Sequence, residues 1–167
     1  MGLPAKKDYI NFSADSALMQ LIGGDTLVYA SMVKKINMFE WSQERMIAIT
    51  NNAIFNIHKK RIKRVITIND IGGISKTVPP SRCTTEFTVH VPSSYDYRFS
   101  TEKSVEGRHK MCWLWLLRSR LLVMIMMLSV FVAERRRAEI LDVLKRCYYI
   151  EKQKNVPIFR ATSKDLR

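Results

Sequence analysis

Between Thr26 and Phe99 apolar residues come in short runs, several of them strictly alternating with polar ones. A period of two sets alternate side chains on one face of a half-buried strand. Seven strands are predicted this way: Thr26 to Val33 (TLVYASMV), Arg45 to Thr50 (RMIAIT), Ala53 to Ile57 (AIFNI), Val65 to Ile68, Ile71 to Lys76, Glu86 to Val91 (EFTVHV), and Tyr95 to Phe99. Asn51-Asn52 predicts a tight hairpin turn. Gly72-Gly73 predicts a bulge or bend inside its strand. Pro79-Pro80-Ser81 and Pro92-Ser93-Ser94 read as loops. Seven short strands at this spacing predict a barrel or sandwich.

Two helices frame the strands. Ser13 to Ile22 has a capping residue in Ser13, a shared face in Leu18, Leu21 and Ile22, and a stop in Gly23-Gly24. In Glu134 to Tyr149, the residues Ile140, Leu141, Leu144, Cys147 and Tyr148 form one apolar stripe on an otherwise charged helix. Such a stripe caps the open end or side of a β-body. From Lys152 the chain turns polar and carries Pro157, which predicts an extended tail. The fold class is therefore mainly β with helices.

Charge narrows the function. The 28 basic and 15 acidic residues give a net charge of +13 in 167 residues, which implies an acidic partner: an anionic membrane, a nucleic acid or an acidic protein face. The densest run is Lys59-Lys60-Arg61-Ile62-Lys63-Arg64, with no acidic residue from Asn51 to Asn69. It is predicted to lie on a strand-to-strand connection, where it presents a site for phosphate. Lys34-Lys35 forms a second basic pair at the end of an earlier strand, and Arg135-Arg136-Arg137 a third cluster. Phe39 and Trp41 share the first inter-strand loop with Lys34 and Lys35. They either enter a headgroup region or pack against the β-body or a protein partner. Aromatic residues do not interleave with the basic run, which disfavours nucleic acid.

The chemistry of catalysis is missing from the pattern. His58, His90 and His109 share no metal-ligand spacing, and no paired acids, nucleophile or glycine-rich phosphate loop occurs, so no catalytic residue, metal or cofactor is assigned. Cys83, Cys112 and Cys147 are odd in number and widely spaced, which points to a reducing, cytosolic setting. The residues Met1 to Lys7 do not read as a secretory signal, and Lys6 stands where N-myristoylation would want Ser or Thr.

The order of these elements resembles the pleckstrin-homology superfold, a seven-stranded barrel or sandwich capped by a C-terminal amphipathic helix. The segment Leu27 to Thr50 (LVYASMVKKINMFEWSQERMIAIT), followed by Asn51 to Ile57, is similar to the version in class I myosin tails. Those run strand, Lys-Lys-Ile-Asn, loop, Gln-x-Arg, strand, Thr, turn and strand. The resemblance covers about Thr26 to Ser100 and the later helix. It implies phosphoinositide binding in a cup formed by the first and third inter-strand loops. In the family's lipid-binding pattern a basic residue ends the first strand and a basic-x-Arg opens the second. Lys34 or Lys35 matches the first part and Arg45 the final Arg, while Gln43 replaces the other basic residue and removes a charge-assisted donor. The expected phosphate or lipid contacts are Lys34, Lys35, Arg45, Lys59, Lys60, Arg61, Lys63 and Arg64, with Phe39 and Trp41 for membrane insertion or partner contact.

This reading divides the chain into an N-terminal arm with a short helix (1–25), a pleckstrin-homology-like domain (26–150) with an apolar insertion at about 104–133, and an extended basic tail (151–167). Met111 to Ala133 (MCWLWLLRSRLLVMIMMLSVFVA) is long enough to span a bilayer. Arg118 and Arg120 inside it each cost about 2.5–3.5 kcal/mol near the bilayer centre, and Leu121 to Ala133 alone is too short. The segment otherwise reads as a buried or partner-facing helix continuous with the capping helix. It also reads as an insertion or reading-frame product, because joining Glu102 or Lys103 to about Glu134 restores the ordinary length of the superfold. The leading expectation is a non-enzymatic module attaching to anionic, phosphoinositide-type membrane surfaces. The alternative is a scaffold or adaptor subunit of a cytoskeletal assembly, with 111–133 and 152–167 docking onto other proteins. Either places the chain in the cytoplasm, at the membrane periphery or on the cytoskeleton.

Overall fold

The alternating segments do fold as strands, and one set of their apolar positions points to a shared interior. In the computed structural model, which describes residues 2–78, 85–101 and 120–161 (120–127 by backbone alone), the predicted strands become β2 to β8. These are β2 Leu27–Ile36, β3 Ser42–Thr50, β4 Ala53–His58, β5 Arg61–Thr67, β6 Gly73–Thr77, β7 Glu86–His90 and β8 Tyr97–Ser100. Two short strands were not foreseen: β1 Lys7–Asp8 and β9 Ile158–Ala161. The sheet order is β5-β4-β3-β2-β8-β7-β6-β9, with β1 parallel to β2, so the sheet curls without closing.

Inward positions Val33, Ile47, Ile49, Ile54, Ile66, Phe87, Val89 and Phe99 form one core with Ile140, Leu141, Val143, Leu144 and Cys147. The last five belong to α2, Arg120–Lys152, so the capping stripe read from the sequence is the seam that buries the helix. Each such aliphatic side chain contributes about 1.5–3 kcal/mol. Truncating Leu144, fully buried, would cost about 2–5 kcal/mol. Arg137 also belongs to this seam. It donates to Thr77 O at 2.9 Å and to Thr77 Oγ1 at 3.2 Å. Arg135 pairs with Glu139, and Arg136 stacks over the Tyr9 ring. The third basic cluster is thus engaged within the fold.

The outer face of β2, β3 and β4 carries a second cluster. Small Ala30 and Ala48 let Phe12, Leu18 and Ile22 approach, beside Phe55 and Ile57. The short helix α1 is Ser16–Leu21, and its cap is Asp15, which accepts from the backbone of Ala17 and Leu18. The predicted cap Ser13 lies instead in a 3-10 turn, Phe12–Ala14. Fully buried Phe12 anchors that turn, and Asp8 accepts from the Phe12 and Ser13 amides at 2.9 and 2.8 Å. The helix ends as predicted, at Gly23 with φ 61°.

Three expectations need correction. The basic run is mostly strand: Lys59 and Lys60 make a two-residue turn with φ 49° and 55°, the left-handed pair that fits a tight hairpin. Arg61 then opens β5, which tolerates its charges because it is an edge strand facing solvent. Lys63 is the extra residue of a bulge opposite Asn56 and Ile57. Second, Gly72-Gly73 precedes and opens β6 instead of bulging within it. A Cβ on Gly73 would meet the Phe159 ring at 2.8 Å, and one on Gly72 would meet Pro92 at 2.6 Å. Third, part of the tail returns to its own sheet, with β9 parallel to β6 in the register Ile74↔Ile158. Residues 162–167, Cys83, Cys112, His109 and the 111–119 part of the apolar segment lie outside the described residues. From Arg120 to Ala133 that segment is helical and continuous with the capping helix. Among the described residues, no helix is long and apolar enough to cross a membrane.

Candidate anion-binding cup

The inward face of the strands changes character toward the β2–β3 and β4–β5 turns. Two residues beyond Val33 stands Lys35, and two before Ile47 stands Arg45, which is paired with Val33 across the strands. Asn56 follows Ile54 by two on β4 and faces Arg64, while His58 faces Arg61. The period of two therefore puts Lys35, Gln43, Arg45, Asn56, His58, Arg61 and Arg64 on the core side, past the point where apolar packing ends. A cup of cations and amides results.

Two tyrosines organise its far wall. Lys35 Nζ lies 5.3 Å from the centroid of Tyr95 and 5.5 Å from that of Tyr97. Arg64 Cζ lies 5.6 and 5.9 Å from the same rings, close enough for cation–π attraction. Arg64 also donates to Ser94 Oγ at 2.6 Å. The Tyr97 hydroxyl beside it, followed by the Lys35 and Arg64 charges, holds the Tyr95 phenol below its ordinary pKa despite some desolvation. Burial pushes Tyr97 up to about 12.

Across the cup, Arg45 Nη2 donates to Gln43 Oε1 at 2.5 Å, and Nη1 contacts His58 Nδ1 at 3.2 Å. Its Nε and the Asn56 Oδ1 are buried with no hydrogen-bond partner. Such atoms cost free energy until something satisfies them. Gln43, which stands where the family pattern wants a second cation, thus orients Arg45.

The remaining predicted cations point elsewhere. Lys34 lies opposite Glu44 on the outer face. Lys60 Nζ pairs with Asp15 Oδ2 at 2.6 Å, which ties the hairpin turn to the arm. Lys59 sits at the turn and Lys63 in the bulge.

Beside the cup rises an apolar tip. Asn37 Oδ1 accepts from the Phe39 and Trp41 amides at 3.0 and 2.8 Å, and the Asn37 amide donates to Trp41 O at 3.0 Å. This frame leaves Met38, Phe39 and Trp41 89%, 71% and 72% exposed. Large apolar side chains so displayed mark an interaction surface. Sequence reasoning named Phe39 and Trp41 but missed Met38 between lysines and aromatics. It also missed Asn56, Ser94, Tyr95 and Tyr97, although the parity of Tyr95, Tyr97 and Phe99 was legible.

One hydrogen-bonded chain near the cup has the order of a nucleophilic triad. Ser75 Oγ meets His90 Nε2 at 2.6 Å, and His90 Nδ1 meets Asp96 Oδ2 at 2.6 Å. Ser75 is buried in mid-strand between β7 and β9, out of reach of a substrate. The chain instead fastens the 91–96 loop, where Asp96 Oδ1 also accepts from the Val91 amide.

Several solved structures are similar to this chain. The hSac2 domain of human phosphoinositide phosphatase Sac2 matches with a TM-score of 0.51 at 8% identity, covering 91% of this chain and 90% of that one. The N-terminal PH domain of human ARAP2 matches with 0.47 at 12% identity, covering 75% and 83%. The PH domain of human pleckstrin homology domain-containing protein family A member 5 matches with 0.39 at 13% identity, covering 67% and 80%. These likenesses concern the fold alone. No curated protein matches the chain. The family model described as unconventional myosin tail, actin- and lipid-binding, matches residues 6–158, taking in the arm, the curled sheet and the capping helix. With more than half its length matched, the chain belongs to the unconventional myosin tail family of actin- and lipid-binding modules.

Proposed function

We propose that the chain attaches to membranes bearing phosphoinositides and other anionic lipids, with headgroup phosphates in the cup and the 38–41 tip entering the interface. The observation that carries this reading is the pairing of Lys35 and Arg64 on one aromatic wall, a few residues from the exposed Met38, Phe39 and Trp41. Charge attracts the surface and the tip supplies apolar burial.

The test is flotation of the full chain with phosphatidylcholine vesicles of graded phosphatidylserine and phosphoinositide content. Juxtamembrane cations contribute about 1 kcal/mol each. Replacing Lys35 and Arg64 with Ala should therefore weaken binding about thirtyfold. Lys60→Ala, a residue already paired with Asp15, should weaken it less. Unchanged flotation of the double variant would sink the reading.

A second reading, a scaffold or adaptor in a cytoskeletal assembly, draws on α2. Leu128, Val130, Phe131 and Val132 are exposed there within little more than one turn. Full-length protein that stays monomeric and binds no apolar probe would count against it.

A further inference from the structure

The far wall of the cup carries two hydroxyl side chains, Ser94 and Tyr95, beside its cations. Ser94 Oγ accepts from Arg64 at 2.6 Å. Tyr95 is 55% exposed, and its ring centroid lies 5.3 Å from Lys35 Nζ and 5.6 Å from Arg64 Cζ. Residues 92–96 are all exposed, so an enzyme can reach them, whereas Tyr97 and Tyr29 are fully buried. The loop is short and fastened at Asp96 by His90, which keeps Tyr95 over the cup.

We propose that Tyr95 is a phosphorylation site whose phosphate is received by Lys35 and Arg64, switching off membrane attachment. The proposal rests on the cup being the lipid-binding site. In the modification, the Tyr95 phenolic oxygen attacks the γ-phosphorus of a nucleoside triphosphate in a tyrosine kinase. The bond from that phosphorus to the β–γ bridging oxygen breaks, the nucleoside diphosphate leaves, and the phenolic proton passes to the kinase base. The product carries nearly two negative charges and three strong acceptors. Carried on a ring that both the Lys35 ammonium and the Arg64 guanidinium approach, it forms charge-assisted hydrogen bonds within the chain. A membrane phosphate then competes with a covalently tethered one, present at high effective concentration. The lowered pKa of the Tyr95 phenol agrees with an anion being favoured there.

Three measurements on the full chain decide this. First, treatment with a broad-specificity tyrosine kinase and magnesium ATP, followed by mass-spectrometric mapping, should place phosphate on Tyr95. A chain left unmodified at Tyr95 overturns the proposal. Second, phosphotyrosine installed at 95 should weaken binding to phosphatidylcholine vesicles containing phosphatidylserine and phosphoinositide about thirtyfold, the loss of two cation contacts. The same group at Tyr149, exposed on α2, adds equal charge and should weaken it about threefold at most. Equal losses overturn the proposal. Third, the phosphorus-31 titration of phosphotyrosine 95 should have its second ionisation, ordinarily near pH 6, drawn lower. That displacement should vanish in the Lys35→Ala/Arg64→Ala background, and a titration indifferent to these cations overturns the proposal. If the unmodified chain binds no vesicle, the membrane reading fails, and the titration still decides whether Lys35 and Arg64 receive the phosphate.

Discussion

Arg137 of α2 donates to the carbonyl oxygen of Thr77, 2.9 Å away and 60 positions back in the chain. The guanidinium also reaches Thr77 Oγ1 and the Glu86 carbonyl, so one cation joins the helix to the ends of β6 and β7. Desolvation lowers its pKa from the usual guanidinium value. Arg137→Ala should lower stability by about 2 kcal/mol, as expected for losing hydrogen bonds from a charged donor. Urea denaturation checks this, and vesicle binding of the folded variant should be unchanged.

Asp8 gives a pH signature. Burial alone would raise its pKa, but donors from the Ser13 and Phe12 amides, the Ser13 hydroxyl and the Ile10 amide outweigh that and hold it below 3.8. A carboxylate with a depressed folded-state pKa stabilises fully above its unfolded value, and the stabilisation is lost as pH falls through the folded one. Asp8→Asn should therefore cost about 1–2 kcal/mol at neutral pH. In thermal melts the gap between variant and parent should narrow steadily as pH falls below 3.8.

The tip separates binding from folding. Phe39 and Trp41 are 71% and 72% exposed, so replacing both with Ala should change stability by less than about 0.5 kcal/mol. Vesicle binding should weaken about tenfold or more, since two aromatic bodies lose interfacial burial. The loss should persist at high salt, unlike the loss from Lys35→Ala. Stopped-flow release from vesicles would show it as faster dissociation.

Cys147 reports on the capping helix. It is 1% exposed, and desolvation pushes its thiol up to about 11. In a Cys83→Ser/Cys112→Ser background it should resist thiol reagents while the chain is folded. Its labelling rate should rise with urea in step with release of α2, because the thiolate is the reactive form. Rapid labelling in native buffer would show that α2 detaches readily.

Local patterning carried much of the fold into view. The Arg45–Ile57 hairpin was readable because two alternating runs flank an Asn-Asn turn, and the α2 stripe because apolar residues recur at helical spacing. The start of β5 was not readable. Arg61, Lys63 and Arg64 look like loop residues, and only their place on an open edge makes them compatible with a strand. The tail strand was hidden for a different reason: its pairing with β6 joins Ile158 to Ile74, a contact no local window contains. At the site, parity with Val33 and Ile47 could have sent Lys35 and Arg45 inward and Lys34 outward. Nothing local, however, could assign Lys60 to Asp15. Tyr95 and Tyr97 were legible as a strand pattern but not as the platform beneath two cations, because Lys35 and Arg64 come from distant strands.

The edge formed by β5 has a consequence for crowding. Chains gathered on one membrane patch meet sideways in two dimensions, where an unpaired strand would recruit its neighbour into a continuous ribbon. On β5, Arg61, Lys63 and Arg64 repel an identical edge, and the bulge at Lys63 breaks the register that a ribbon would need. Dense arrays of this module should therefore stay laterally fluid, each copy free to leave its lipid independently of the next.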